Sequence, residues 1–349
     1  MLNLGPVILY ILAGFCVYLA VLNRHIVLLR DSKVKTPLMV GTFLVAAGGS
    51  ALAGLLLPRS PWLCIPVSIL VAAAIGEMLR LANKWRCRGS APVDSEFHDV
   101  PLSRPFTTTD LACHRYRLET DKWEGDAFRV VHLSDLHATH SYPKDYYERV
   151  FALAEEQEPD FAFITGDFLV DQSALDILSD VIRPLGKAGC YAVLGNHDYW
   201  AAPEAVAGVV TEAGITLLVN ESVHTRVAGD DLLISGCDDP WGKTSWSPPT
   251  TDKPMLHLAL SHTPDNIYRL ARAGLDCVFC GHYHAGQFRI PGLGAFVIPS
   301  VYGRRFDHGH YRVRGTDMFI AAGVGATNPP FRLYCRPDIF VVDILPGVC

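Results

Sequence analysis

Two uncharged apolar runs near the amino end, Gly5 to Leu22 and Leu38 to Leu57, constrain this chain more than any other feature. About 20 apolar residues reach across a bilayer. In hydrocarbon the backbone must satisfy its own polar groups, which a helix does within one segment. Both runs are therefore read as membrane-spanning helices. The stretch from Trp62 to Gly76 is shorter and meets Glu77, but Met78, Leu79 and Leu81 prolong its apolar character, so a third span over about 62–81 is expected. Hydrophobic residues make up 50% of the chain and crowd into its first part, so the composition divides into a membrane part and a globular part. The expected division is an anchor over 1–88, a linker over 89–110 and a globular domain over 111–349. The amino end has neither a basic n-region nor a twin arginine, so no cleaved signal peptide is expected.

Basic residues set the expected orientation. Arg24, Arg30, Lys33 and Lys35 lie between the first two spans, and Arg80, Lys84, Arg86 and Arg88 follow the third. Between the second and third stands only Arg59. The positive-inside rule then puts the amino terminus outside and the globular part in the cytoplasm of a multi-pass inner-membrane protein. The ten cysteines show no disulfide-like spacing, which suits a reducing compartment. Cys277-Val-Phe-Cys280 lies in an apolar, strand-like run and reads as core, not as a redox pair. A net charge of −6, with no basic cluster interleaved with aromatics, argues against nucleic-acid binding.

In the globular part, short apolar runs alternate with helical spacing. Strands are expected over 111–118, 128–134, 161–165, 191–194, 232–235, 256–260, 277–280, 295–298, 318–321 and 339–342. Helices are expected over 144–157, 173–187, 203–213 and 264–273. Early strands alternate with helices and late ones follow one another, a pattern that fits an α/β layered sandwich, two sheets covered by helices in four αββα layers.

Five of the strand ends finish in potential ligands: Asp135 with His137, Asp167, Asn196 with His197, His262, and His282 with His284. Asp135 and His137 stand at i and i+2, so their side chains are expected to leave the same side of an extended backbone. In α/β sheets the carboxyl ends of strands gather where ligands bind. Hard oxygens mixed with imidazoles suit Mn²⁺, Fe or Zn²⁺ better than Ca²⁺ or a thiolate-bound structural zinc. Gly236-Cys-Asp-Asp-Pro-Trp-Gly242-Lys-Thr244 imitates a phosphate-binding loop, but its glycine spacing is wrong and no helix pattern follows.

Asp135-Leu-His137, Gly166-Asp167, Gly195-Asn196-His197-Asp198, His262 and Gly281-His282-Tyr-His284 resemble, in order and spacing, the signature of calcineurin-like metallophosphoesterases. The likeness covers roughly 111–345, and the stretches Arg104–Asp110 and Gly323–Arg332 look like the bacterial membrane-anchored branch. The resemblance implies two divalent metal ions, with Mn²⁺ expected. Asp135, His137 and His284 would bind one, and Asn196, His262 and His282 the other, with Asp167 bridging. It also implies that His197 faces the substrate and that Asp198 orients its ring. The implied activity is hydrolysis of a phosphomonoester, phosphodiester or pyrophosphate. A phosphorylated, lipid-linked substrate is expected from the anchor, and one specific form is a UDP-2,3-diacylglucosamine pyrophosphatase of lipid A synthesis. The competing expectation is a metal-binding scaffold without turnover.

Overall fold

Apolar runs become three helices, α1 (Leu4–Val21), α2 (Lys35–Leu56) and α3 (Cys64–Cys87), each long and apolar enough to cross a membrane. The computed structural model describes residues 4–26, 28–29, 34–57, 61–96, 102–249 and 255–347. Arg30, Lys33 and Arg59, on which the expected orientation leans, lie outside the described residues. Helix α3 runs past 81 to Cys87, and Arg80 pairs back one turn onto Glu77 at 2.5 Å.

The helices form one unit with residues 296–306, which come from far along the chain. A strand is expected over 295–298, and the structure differs. Asn23 donates its side-chain amide to the Phe296 carbonyl at 2.9 Å and accepts from the Ile298 amide at 3.2 Å. One side chain thus takes the backbone groups that a neighbouring strand would have bonded. Farther along the segment, Arg304 donates to the Glu77 carboxylate at 2.7 Å.

The remainder forms the second unit. Its elements in chain order are β1 (Asp94–Glu96), β2 (Ala112–Thr120), β3 (Phe128–Leu133), α4 (Lys144–Glu156), β4 (Phe161–Thr165), α5 (Leu175–Val181) and β5 (Gly189–Val193). Then come α6 (Asn196–Ala201), α7 (Pro203–Glu212), β6 (Thr216–Leu217), β7 (Ser222–Val227), β8 (Asp230–Cys237), β9 (Leu256–Ser261), α8 (Ile267–Arg272) and β10 (Cys277–Cys280). The chain ends with β11 (Arg289–Ile290), β12 (Gly294–Ala295), β13 (Gly309–Val313), β14 (Thr316–Ile320) and β15 (Asp338–Pro346).

Two large sheets result, ordered β1-β2-β15-β3-β4-β5-β6 and β13-β14-β10-β9-β8-β7. Strand β15 lies parallel to β2 and antiparallel to β3, so the last strand of the chain enters the middle of the first sheet. Alternation divides the residues of that sheet between two cores. Val130, Phe161, Phe163 and Phe340 join Leu258, Phe279 and Phe319 of the other sheet in one apolar cluster. Val131, Leu133, Ile164 and Val341 join Val150, Phe151, Leu178 and Val206 of α4, α5 and α7 in another. Helix α8 packs near β13. The architecture is the mixed α/β sandwich, and Cys277 belongs to the core between the sheets.

The stretch 89–110, read as linker, contains β1, which pairs antiparallel with β2. The helix expected over 173–187 is a 3₁₀ turn and then α5, and it stops because Ile182 turns extended just ahead of Pro184. Strands β7 and β13 were not expected, since half-buried side chains interrupt their apolar pattern.

Candidate metal centre

Strands β3 and β4 end side by side, and their following loops are bonded together. The Asp135 amide donates to the Gly166 carbonyl and the His137 amide to the Asp167 carbonyl, both at 2.9 Å. The extended geometry expected for Asp135 and His137 does not occur. Both lie past the end of β3 with φ of 51° and 42°, and Asp167, His282 and His284 also have positive φ, at 54°, 67° and 49°. Non-glycine residues pay for this left-handed conformation, and such strain collects at functional sites. A Cβ on Gly195 or Gly281 would overlap Asp167 Oδ1 or Asp135 Oδ2, so these two loops close in only because they carry glycine there.

All seven candidate ligands meet in one buried pocket. Asp135 Oδ1 lies 3.3 Å from His284 Nε2, which is 3.1 Å from His137 Nε2. His262 Nε2 lies 3.2 Å from Asn196 Oδ1 and 3.1 Å from His282 Nδ1. Between the two groups stands Asp167, whose Oδ2 is 3.4 Å from His137 Nε2 and 3.3 Å from His262 Nε2. Its other oxygen is occupied, accepting from the His197 amide at 2.8 Å.

The donor chemistry fits cations. His262 Nδ1 faces the Thr165 carbonyl at 2.6 Å, which requires a proton on that nitrogen and turns the Nε2 lone pair of the neutral ring inward. There it faces two oxygens and an imidazole nitrogen, all able to act as acceptors. A cation placed among these atoms would meet lone pairs on every side, and a proton on His262 answers the same charge. Burial opposes a charge on His262, but the Asp167 carboxylate outweighs it and raises the ring to about 9. Burial pushes His137 down to about 3 and His284 well below its usual value, so both rings are neutral ligands. Burial also pushes the Asp135 carboxyl up; it pushes Asp167 the same way, but the His262, His197 and His137 rings together outweigh it and hold Asp167 well below the carboxylate range.

His197 stands beside these groups. Its half-buried ring lies 4.7 Å from that of His137 and 5.1 Å from Trp200, edge-on to the first and tilted to the second. Asp198 does not orient that ring. One of its oxygens accepts from the Phe168 and Leu169 amides and the other from the Gly195 amide at 2.8 Å, a reach-back that caps α6. Its place at the third position of the helix turns the carboxylate toward backbone, so it clamps the loops carrying Asp167 and Asn196.

Two contributors are invisible in the sequence pattern. Trp241, in the stretch set aside as a false phosphate loop, packs 5.5 Å from the His262 ring and 5.3 Å from that of His282. Asn220 holds this loop by accepting from the Asp238 amide and donating to the Thr244 carbonyl. Arg332 is fully buried and donates to the carbonyls of Ala322 and Gly323 beside Asp135. For Trp241 the sequence signal is an aromatic inside a glycine- and proline-rich stretch, and for Arg332 it is its place at the end of the Gly323–Arg332 stretch, which carries no role for the side chain.

Residues 128–286 match the family described as calcineurin-like phosphoesterase. Over 237 residues the chain is 29% identical to Phosphodiesterase YaeI of Escherichia coli, covering 66% of this chain and 87% of that protein. Over 228 residues it is 30% identical to the uncharacterized metallophosphoesterase YkoQ of Bacillus subtilis, covering 60% of this chain and 81% of the relative. A transmembrane protein with metallophosphoesterase domain from Danio rerio is 28% identical over 239 residues, 61% of this chain but only 52% of that longer protein. With this likeness and a buried Asp and His cluster of metal-binding type, the chain belongs to the calcineurin-like metallophosphoesterases and is a metal-dependent phosphoester hydrolase.

Proposed function

We propose that this protein is a membrane-anchored hydrolase of a phosphodiester or pyrophosphate bond in a lipid-linked substrate, working with two divalent cations. Asp135, His137 and His284 hold one, Asn196, His262 and His282 the other, and Asp167 belongs to both. The observation that carries the reading is the position of Asp167 Oδ2, within 3.4 Å of one imidazole from each group. Bound there, two cations supply Lewis acidity toward the nonbridging oxygens of a phosphate and an acidified water as nucleophile.

The chain's own residues do the rest. Buried side chains held by backbone and side-chain hydrogen bonds keep the ligand groups preorganised, while half-buried His197 and His282 mark the side open to substrate. The His197 ring packs edge-on against that of His137, and its backbone amide donates to Asp167 Oδ1 at 2.8 Å, which fixes the ring beside both ligand groups. That leaves the ring to stabilise charge or deliver a proton to the leaving oxygen. The mixed oxygen and imidazole set suits Mn²⁺, Fe or Zn²⁺, and Mn²⁺ is the ion we assign from the resemblance. The three apolar helices support a lipid-linked substrate, a multi-pass place in the inner membrane and a domain on the cytoplasmic side.

The test uses the full chain in detergent micelles with Mn²⁺ and bis-p-nitrophenyl phosphate. Release of p-nitrophenol is expected, and an active preparation should consume a phosphorylated species from a bacterial lipid extract. Two bound ions with no turnover under any divalent metal would instead make the protein a scaffold.

A further inference from the structure

A second set of metal-ligating side chains lies outside that pocket and links the two sheets of the catalytic unit. His114 stands on β2, Asp338 opens the neighbouring strand β15, and His308 comes just before β13 in the other sheet. Their ligand atoms all lie within 4.8 Å of one another. His308 Nε2 is 2.5 Å from Asp338 Oδ2, and His114 Nε2 is 3.8 Å from the same oxygen. The two imidazoles meet edge to face with centroids 5.7 Å apart.

Each ligand is steadied from behind. His114 Nδ1 lies 2.7 Å from Ser95 Oγ on β1, and Asp338 Oδ1 accepts from the Ala322 amide at 2.8 Å. Outer partners of this kind fix the ring and carboxylate of a metal ligand and turn the remaining atom toward the ion. Asp338 is buried between the two sheets, with one oxygen held by the Ala322 amide and the other facing both imidazoles. The side chains of His114 and His308 are 15% and 27% exposed, so an ion can enter without unfolding the sheets.

We propose that His114, His308 and Asp338 form a further divalent-metal site, of the type that takes Zn²⁺, which staples the two sheets together. Two imidazoles, one carboxylate and a water complete the tetrahedral set that Zn²⁺ prefers. The site shares no residue with the Asp167 pocket, so it stands or falls independently of the two-cation reading. Its ion would act on the pocket only through the backbone, because Ala322 precedes Gly323, and Gly323 packs against the Asp135 side chain.

The test strips the full chain in detergent with a chelator, reloads it with Zn²⁺, removes excess ion and counts zinc by mass spectrometry. His308→Gln and His114→Gln should each bind one equivalent less than the parent. Both should also lose part of the Zn²⁺-dependent rise in melting temperature. In an Asp167→Ala background the equivalent held here should persist, and Co²⁺ should give a tetrahedral visible absorption that His308→Gln abolishes. His308 is the most exposed of the three, and its variant's fold is checked by the melting temperature of the stripped protein. Equal zinc counts in the parent and both histidine variants would overturn the proposal and leave a plain histidine–aspartate ion pair.

Discussion

The two halves of the Asp167 pocket use similar ligands but store their proton differently. Beside Asp135, the rings of His137 and His284 are neutral, and burial favours a proton on the carboxyl itself. Beside Asn196, which has no charge to offer, the proton resides on the His262 ring, raised to about 9 with Asp167 facing it. The first half is wholly buried, whereas His282 of the second is only half-buried and lies under Trp241. Similar donor sets thus give one wholly buried half that keeps its proton on a carboxyl and one more open half that keeps it on an imidazole. Asp167 is the atom-level hinge of the comparison, since Oδ2 faces both.

The largest effect should follow from removing that hinge. Asp167→Ala is expected to lose the cations of both halves and to slow hydrolysis by about 10³-fold or more, because metal charge contributes several kcal/mol to the transition state. Metal counting and p-nitrophenol release check it together. If one half keeps its ion at full occupancy, the halves are separate sites and the shared oxygen means nothing.

His197→Ala should come next, slowing turnover roughly 10²-fold while both ions stay, the usual loss when a proton donor is removed. Loss of an ion in that variant would instead enrol His197 in the first half, since its ring lies 4.7 Å from that of His137.

Much of this pocket was legible because ligand chemistry needs particular residue types, and those types stand at strand ends in the sequence. Five pieces, from Asp135 to His284, could be read without coordinates for that reason. What escaped depends on turns and on distant partners. Asp198 follows His197 in the chain, yet helix α6 rotates its carboxylate onto the amides of residues 168, 169 and 195. Trp241 reaches the second half through a loop held by Asn220, a contact across 18 positions that no local pattern encodes. Likewise 296–298 looks like a strand until Asn23, 273 positions before Phe296, takes its backbone groups. The helices α1 to α3 were legible for the opposite reason, since a span is written in composition alone.

The pH dependence of metal binding sharpens the contrast between the halves. A cation entering the second half must displace the His262 proton at any pH below about 9. Its apparent affinity should therefore climb roughly tenfold per pH unit well below that point and level off near it, about fiftyfold in all between pH 7 and 9. In the first half His137 stays neutral down to about 3 and the Asp135 carboxyl, pushed up to about 7 by burial, is mostly ionised above that, so little proton exchange is demanded between pH 7 and 9. Titration with Mn²⁺ at pH 7, 8 and 9 should resolve one pH-sensitive step and one nearly flat step. Two steps of equal slope would show that the proton is shared across the pocket.

The smallest effect should come from the outer partners, where the halves differ again. His262 is steadied by a backbone carbonyl, that of Thr165, which no substitution removes. Asp135 is steadied by a side chain: Ser134 Oγ donates to its Oδ2 at 2.6 Å, Thr165 Oγ1 donates to Ser134 Oγ at 2.8 Å, and His132 Nε2 lies 2.8 Å from Thr165 Oγ1. Ser134→Ala cuts this relay at its inner end without touching any candidate ligand. Outer partners of metal ligands are worth about 10- to 100-fold in affinity, and the His282 amide, at 3.0 Å from the same oxygen, would compensate in part. A loss near ~10-fold, confined to the pH-insensitive Mn²⁺ step, is therefore expected. An equal weakening of both steps would mean that Ser134 supports the pocket as a whole, and the division into a side-chain-steadied half and a backbone-steadied half would fail.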